Sequence, residues 1–315
     1  MNGFEVLLLA LLLDAVIGDP AWIWRRITHP VVIIGRLVSY LESTLNTGQR
    51  RRLRGIGSVA SIGVAAMLVG EAIHWLPDYG IVEVLVVSVF LALRDLINEV
   101  KGVASALRKS VVAGRIQVAR IVGRDTDELT TEGIARAAIE SAAENLSDGL
   151  IAPVFWFAIA GLPGLVLYKA VNTADSMVGY KTDSLADFGW AAARLDDVMN
   201  WIPARLSGGL IAMVHVSGSA VSCMHQDASR HRSPNAGWPE AAMAAVIGVS
   251  LSGPRYYGGE FLDSPYVYDA GRKNANPEDI DAAVLVLWRC WVALVLTIGG
   301  AVLVLRLCTF SVGAN

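Results

Sequence analysis

Between Gly123 and Arg205 three polar clusters interrupt an otherwise apolar chain. In the first, Glu140, Glu144 and Asp148 recur every fourth residue, and at ~100° per residue they fall within an arc of ~80° on a helix. Three carboxylates on one face suit a divalent cation; they equally suit a solvated stripe in which Arg136 pairs with Glu140. In the second cluster Lys169, Asn172, Asp175, Ser176 and Gly179 share a helical face. That face joins a cation, a carboxylate and an amide, and reads either as a site or as a polar seam between packed helices. In the third, Arg194, Asp197 and Trp201 share a face while Asp196 points nearly opposite, so the adjacent acids are not assumed to act together.

The elements that must position these groups follow from punctuation. Thr130 or Thr131 is the expected N-cap of a helix running to Asp148. An apolar segment starts at Leu150, which sets the acidic stripe at a membrane boundary, where ionisable groups are costly and more often functional. Gly161, Pro163 and Gly164 split Leu150 to Val171 into two short halves. A re-entrant or hairpin segment is permitted there if protein covers the irregular backbone, and it would return the first two clusters to the same side. Pro203 ends the third helix or opens the next.

Composition sets the surroundings. With 54% hydrophobic residues, 17% charged residues and a mean hydropathy of +0.49 over 315 residues, the expectation is an all-α, polytopic integral-membrane protein with polar cytoplasmic loops. It is read as a single domain over 1–315, with 123–205 as its catalytic core. The net charge of −3 and the absence of a basic tail argue against nucleic acid as a partner. Cys223, Cys290 and Cys308 are scattered, implying neither zinc nor a disulfide framework. Phe4 to Ile17 lacks the pattern of a cleaved signal and is short of the ~20 residues usual for a crossing. Further apolar stretches are Gly55 to Leu76, Ile81 to Leu93 continuing as an amphipathic helix to Leu107, Leu206 to Cys223, and Ala283 to Leu307 with Arg289 inside it. The number of crossings stays open.

Seven arginines lie between Arg25 and Arg54, and eight basic residues between Arg94 and Arg136. Both sets point to the cytoplasmic side, and contact with anionic membrane lipid explains the first as well as substrate phosphate does. His29 reads as a structural, hydrogen-bonded histidine. The loop pair Arg124 and Asp125 suits either ATP phosphate and metal or a structural ion pair. Trp238, Arg255, Tyr256 and Tyr257 could stack on a planar ligand, or sit as interfacial aromatics. GIGSVAS has no strand before it and is no dinucleotide fingerprint, and no P-loop motif occurs.

Longer blocks go further. ESAAENLSDGLIAPVFW, AVNTADSMVGY and FGWAAARLDDVMNWIPARL resemble the CbiB/CobD family of cobalamin biosynthesis, the adenosylcobinamide-phosphate synthases. LLLDAVIGDP with THPVVIIGRL near the start, and HRSPNAGWPEAAMA with GPRYYGG near the end, extend the likeness over most of the chain in order. The resemblance implies ATP-dependent amide formation between the carboxyl of adenosylcobyric acid and aminopropanol phosphate, at the cytoplasmic face of the bacterial inner membrane. ATP would be a substrate and Mg²⁺ its counter-ion; the oligomeric state is left unknown. Such chemistry needs cations for phosphoryl oxygens and a base near the amine. On this reading Glu140, Glu144 and Asp148 hold Mg²⁺; Arg124, Lys181 and Arg194 hold phosphates; and Asp175, with Asn172 and Glu144, is catalytic. Asp125, Asn145, Ser176, Tyr180 and Asp197 complete the substrate contacts. Two other classes fit the same features: a transporter of anionic metabolites, with charged clusters beside a broken helix, and a non-enzymatic scaffold for corrinoid assembly.

Overall fold

Helices follow one another with short connections along nearly the whole chain. The computed structural model describes residues 1–123, 125–257, 260–262 and 264–313, with the backbone alone at 21, 255–257, 260–262 and 310–313. In chain order the helices are α1 (Gly3–Ile17), α2 (Ala21–Trp24), α3 (Pro30–Leu45), α4 (Arg51–His74), α5 (Ile81–Phe90), α6 (Leu93–Lys109) and α7 (Val111–Val118). Next come α8 (Thr131–Leu146), a π-helical turn at Ser147–Ile151, and α9 (Ala152–Val178). α10 (Trp190–Met199), α11 (Trp201–Val214), α12 (Gly218–Asp227) and α13 (Gly237–Ile247) lead to four short strands, β1 (Leu251–Ser252), β2 (Arg255–Tyr257), β3 (Glu260–Leu262) and β4 (Tyr266–Val267), and α14 (Pro277–Gly313) ends the order. The strands form two antiparallel pairs, β1 with β4 and β2 with β3.

The boundaries have local causes. Asn2 and Glu5 form a reciprocal capping box at the start of α1. At α8 the cap is Thr130, whose hydroxyl accepts from the Gly133 N–H. α3 starts at Pro30, where the fixed φ suits a first helical residue, and His29 Nδ1 accepts from the Val31 N–H. His29 Nε2 lies 3.1 Å from Asp19, so the histidine ties GDP to THP as a structural residue. Inside α9 the helix breaks at Ala160 and Gly161, where Gly161 takes φ 62°. Three helical runs among the described residues are long and apolar enough to cross a membrane: Arg51–His74, Thr131–Val178 and Pro277–Thr309.

Two expectations are corrected. The helix expected from Ile81 through Leu107 is interrupted: Leu91 is extended, with ψ 153°, and a separate amphipathic α6 follows. Leu206 to Cys223 is not one helix either, because Val216 adopts φ 48° between α11 and α12; a β-branched residue there cannot continue a right-handed helix.

The chain divides into two compact units, one built from 1–92, 152–200 and 295–315, the other from 93–151 and 201–294. In the first, α4 and α3 pack along α9. Gly70 lies where a Cβ would meet the Pro163 backbone at 2.6 Å, and at Gly55 it would collide with the Phe188 carbonyl. α10 lies on α9 over a core of Ala152, Tyr168, Val171 and Met199. In the second unit α8 is almost wholly buried along its alanine-rich face and packs on α6, α7 and α13.

Candidate functional site

The first unit contains a groove of about 650 Å³ between α3 and α9. From α3 it is lined by Val31, Val32, Gly35, Arg36 and Ser39. α9 contributes Lys169, Asn172, Thr173, Ser176 and Met177. The periodicity that united Lys169, Asn172 and Ser176 in the sequence therefore does aim them at one cavity. Asp175 is not part of that lining; it sits at the edge of the stripe, with its carboxylate against the position a Gly179 side chain would take.

Behind the groove stands a polar network. Asp196, on α10, is 8% exposed. Its Oδ1 accepts from Asn172 Nδ2 at 3.2 Å and its Oδ2 from Asn200 Nδ2 at 3.0 Å. Asn200 in turn accepts from the buried Tyr168 hydroxyl at 2.9 Å. At the residue just before Asn200, Trp156 donates to the Met199 carbonyl. Thus α10 is fastened to α9 at three heights, and the tie at Asn172 faces the groove. Burial pushes the Asp196 carboxyl above the ordinary range; hydrogen bonds from Asn172 and Asn200 and the nearby Lys169 charge act against it. A carboxylate is acceptor-only when ionised, so each amide is held with its carbonyl oxygen turned away from Asp196.

Asp197 belongs to a different surface. It pairs with Arg194 at 3.1 Å, and burial raises its carboxyl against the charges of Arg194 and Lys181. Lys181, Arg194 and Asp197 are therefore brought into one electrostatic group, separate in orientation from Asp196 as the helical spacing requires. Tyr180 is exposed at the start of the loop before α10. Arg51 donates to the Asp183 and Ser184 carbonyls of that loop, and Arg52 lies over the Trp190 ring at 3.8 Å. Arginines read as topological markers thus also hold the loop that carries Lys181.

The acidic helix is in the second unit. Glu140 is buried, and its Oε1 accepts from the Ser252 N–H at 2.7 Å. Arg136 donates instead to the Lys273 carbonyl, so the anticipated Arg136–Glu140 pair is replaced. Glu144 and Asn145 are exposed, and Asn145 donates back to Ser141. Asp148 lies on the π-helical turn, where the wider pitch departs from the regular α spacing. No group of three His, Cys, Asp or Glu positioned to hold a metal occurs among the described residues, so a cage made of Glu140, Glu144 and Asp148 does not fit this geometry. Asp125 is exposed on the loop before α8. Arg124 lies outside the described residues, as do the side chains of Arg255, Tyr256 and Tyr257; Trp238 stacks with Arg205, whose guanidinium is 4.6 Å from the ring centre.

Sequence reasoning passed over Arg36 and Asp196 as site residues. Arg36 was counted among topological arginines, and nothing in its neighbours marks it. Asp196 did carry a signal, since its angle on α10 already separated it from Asp197.

A chain of apolar helices, three of them among the described residues long enough for a bilayer, with a basic groove backed by a buried carboxylate, defines a helical membrane-protein class. The model of the CobD/Cbib protein family matches residues 7–287, and the chain belongs to that family. It is similar to a protein of Rhizobium meliloti (strain 1021) named "Cobalamin biosynthesis protein CobD", with 47% identity over 300 residues covering 90% of this chain and 92% of the relative. A Brucella suis protein of the same name is 47% identical over 90% of this chain and 92% of its own, and one from Rhodobacter capsulatus 42% over 95% and 97%. No solved structure matches.

Proposed function

We propose that this protein serves cobalamin biosynthesis by ATP-dependent amide formation, joining adenosylcobyric acid to aminopropanol phosphate to give adenosylcobinamide phosphate. The single observation that supports this chemistry best is Asn172, held by buried Asp196 and lining a groove with Lys169 and Arg36. A fixed amide beside cations suits a substrate that carries both phosphate and a nucleophilic amine.

In the proposed sequence a carboxylate oxygen of the corrinoid acid attacks the γ-phosphorus of ATP and ADP leaves. The amine nitrogen then attacks the acyl carbon, inorganic phosphate departs, and a base takes the amine proton. Asp175 is assigned that proton, and Ser176 a neutral hydrogen bond. Lys181 and Arg194 are assigned phosphoryl oxygens, with Asp197 keeping Arg194 in place. Glu144, exposed on α8, is assigned a substrate contact. Magnesium enters as the counter-ion of ATP, and no step is routed through a protein-held ion. The site is assigned to the cytoplasmic face of a bacterial inner membrane, in agreement with the arginines at the N-terminal end of α4.

The experiment uses purified full-length protein with a corrinoid acid, an aminoalcohol phosphate, ATP and Mg²⁺, and identifies product by mass. Amide product with matching ADP release is expected, and Glu144→Ala or Asp175→Ala abolishes it while the protein still inserts and folds. Absence of product with native protein overturns the reading. The break at Gly161 favours one rival, a transporter, which substrate flux into proteoliposomes without ATP consumption would establish instead.

A further inference from the structure

The groove between α3 and α9 places Arg36 opposite Lys169 on two helices that are more than a hundred residues apart in the chain. Neither the polar stripe of α9 nor the single arginine of α3 indicates this meeting alone. None of the lining residues carries a carboxylate; Ser39 adds a hydroxyl, Asn172 donates to Asp196 and so keeps its carbonyl oxygen turned away from that acid, and the Ser176 hydroxyl donates to the Asn172 backbone carbonyl. Lys169 falls within an apolar helical run long enough for a membrane, and its charge also acts on the buried Asp196 carboxyl behind the groove. The apolar portion, Val31, Val32 and Met177, is short.

We propose that this groove is a receptor for a small phosphomonoester dianion, with the Arg36 guanidinium and the Lys169 ammonium bracketing the phosphate and Asn172, held by Asp196, orienting the remainder of the ligand. The inference rests on the amide-synthase reading for the identity of the ligand, a phosphorylated aminoalcohol, but not for the anion site itself. A phosphomonoester carries about −1.5 to −2 charges near pH 7, and a guanidinium fork with a point-charge ammonium matches its three oxygens. The cavity lies within the range that houses drug-sized ligands; it is too small to enclose a corrinoid macrocycle with its axial ligand. A metal-bound triphosphate would present its cation to a lining that has no carboxylate to receive it. Asp196 is a positioning residue here: it touches Asn172, not the ligand, and fixes which end of that amide faces the groove.

The test measures binding of O-phosphoethanolamine, ethanolamine and inorganic phosphate to full-length protein in phosphatidylcholine nanodiscs, without ATP or corrinoid. Expected is at least ~10-fold tighter binding of O-phosphoethanolamine than of ethanolamine, and a loss of ~10- to 100-fold in Arg36→Gln and Lys169→Met, the range for removing one charge-assisted hydrogen bond. Arg36→Lys recovers part of that loss. A thiol at Ser39→Cys, read by peptide mass, is shielded from maleimide by O-phosphoethanolamine and not by ethanolamine, which tests the site even if a charge variant misfolds. Phosphatidic acid added to the nanodiscs shows the source: competition that disappears in Arg36→Gln assigns the phosphomonoester to a lipid headgroup, and no competition assigns it to the soluble ligand. Equal binding of ethanolamine, or unchanged binding in both charge variants, overturns the proposal. Amide formation that persists in both variants overturns it while leaving the synthase reading intact; phosphate-selective binding without amide formation by native protein does the reverse.

Discussion

At the level of single residues, two buried carboxylates have opposite consequences from those their types suggest. Glu140 holds the N–H of Ser252, a residue at φ 59°; Asp227 likewise accepts from Tyr268 N–H, where φ is 58°. Non-glycine residues in the left-handed region persist only when their surroundings over-determine them. Glu140→Ala is therefore expected to cost about 1–3 kcal/mol in folding stability, the penalty for stranding a buried partner, seen as a lowered thermal midpoint. Exposed Glu144→Ala should leave that midpoint nearly unchanged while removing amide formation, and equal destabilisation by both would contradict the separation of roles. Asp196 adds a pH dependence. Because burial raises its carboxyl pKa above the ordinary ~3.9, the native state binds that proton more tightly than the unfolded chain. The contribution to stability is complete below the ordinary value and is lost as pH rises through the raised one. Compared with Asp196→Asn, native protein is expected to gain thermal stability as pH falls from 7 toward 4. A difference that stays flat across this window contradicts the assignment of burial as the dominant cause.

Among elements, the pairing of α4 with α9 is set by missing side chains. A methyl at Gly70 meets backbone atoms of Pro163, which cannot rotate away, whereas one at Gly57 meets nothing within 4 Å. Gly70→Val should cost at least the ~1–3 kcal/mol typical of overpacking, and Gly57→Ala should be neutral or stabilising because alanine favours a helix interior over glycine by up to ~1 kcal/mol. Thermal unfolding in detergent distinguishes them, and equal midpoints would remove α4 from its place against Pro163. This pairing also shows what was legible beforehand. Thr130 as a cap, α4 as a long apolar helix and the break near Gly161 follow from local chemistry that one window of sequence contains. The shared direction of Lys169, Asn172 and Ser176 was legible for the same reason. The groove was not, because its other wall comes from α3, and no local pattern tells Arg36 from Arg25 or Arg26. The stops at Leu91 and Val216 were missed as well: Leu91 is marked by neither glycine nor proline, so tertiary packing overrides an apolar run that propensity alone would continue, whereas at Val216 the following Ser217 and Gly218 were a turn signal that the apolar run obscured.

For the whole molecule, the decisive quantity is which ends of the apolar helices share a compartment. α4 begins with Arg50, Arg51, Arg52 and Arg54 and ends in the Trp75 to Gly80 connection, which has no lysine or arginine. Basic residues flanking a span are retained on the cytoplasmic side, so the loop at Gly48 should be cytoplasmic and the turn at Tyr79, 87% exposed, periplasmic. This assignment also determines where the Lys181 loop must lie, because Arg51 and Asn46 both donate to the Ser184 carbonyl. ATP is available only on the cytoplasmic side, so the proposed ATP-dependent reaction needs its phosphate-binding cations there. In a Cys308→Ser background, a cysteine at Tyr79 should react with a membrane-impermeant maleimide added to spheroplasts, and cysteines at Gly48 and Lys181 should react only after permeabilisation. Labelling of the Lys181 position from outside, with Tyr79 protected, would invert the protein in the membrane and leave an ATP-driven reaction at these residues without its phosphoryl donor.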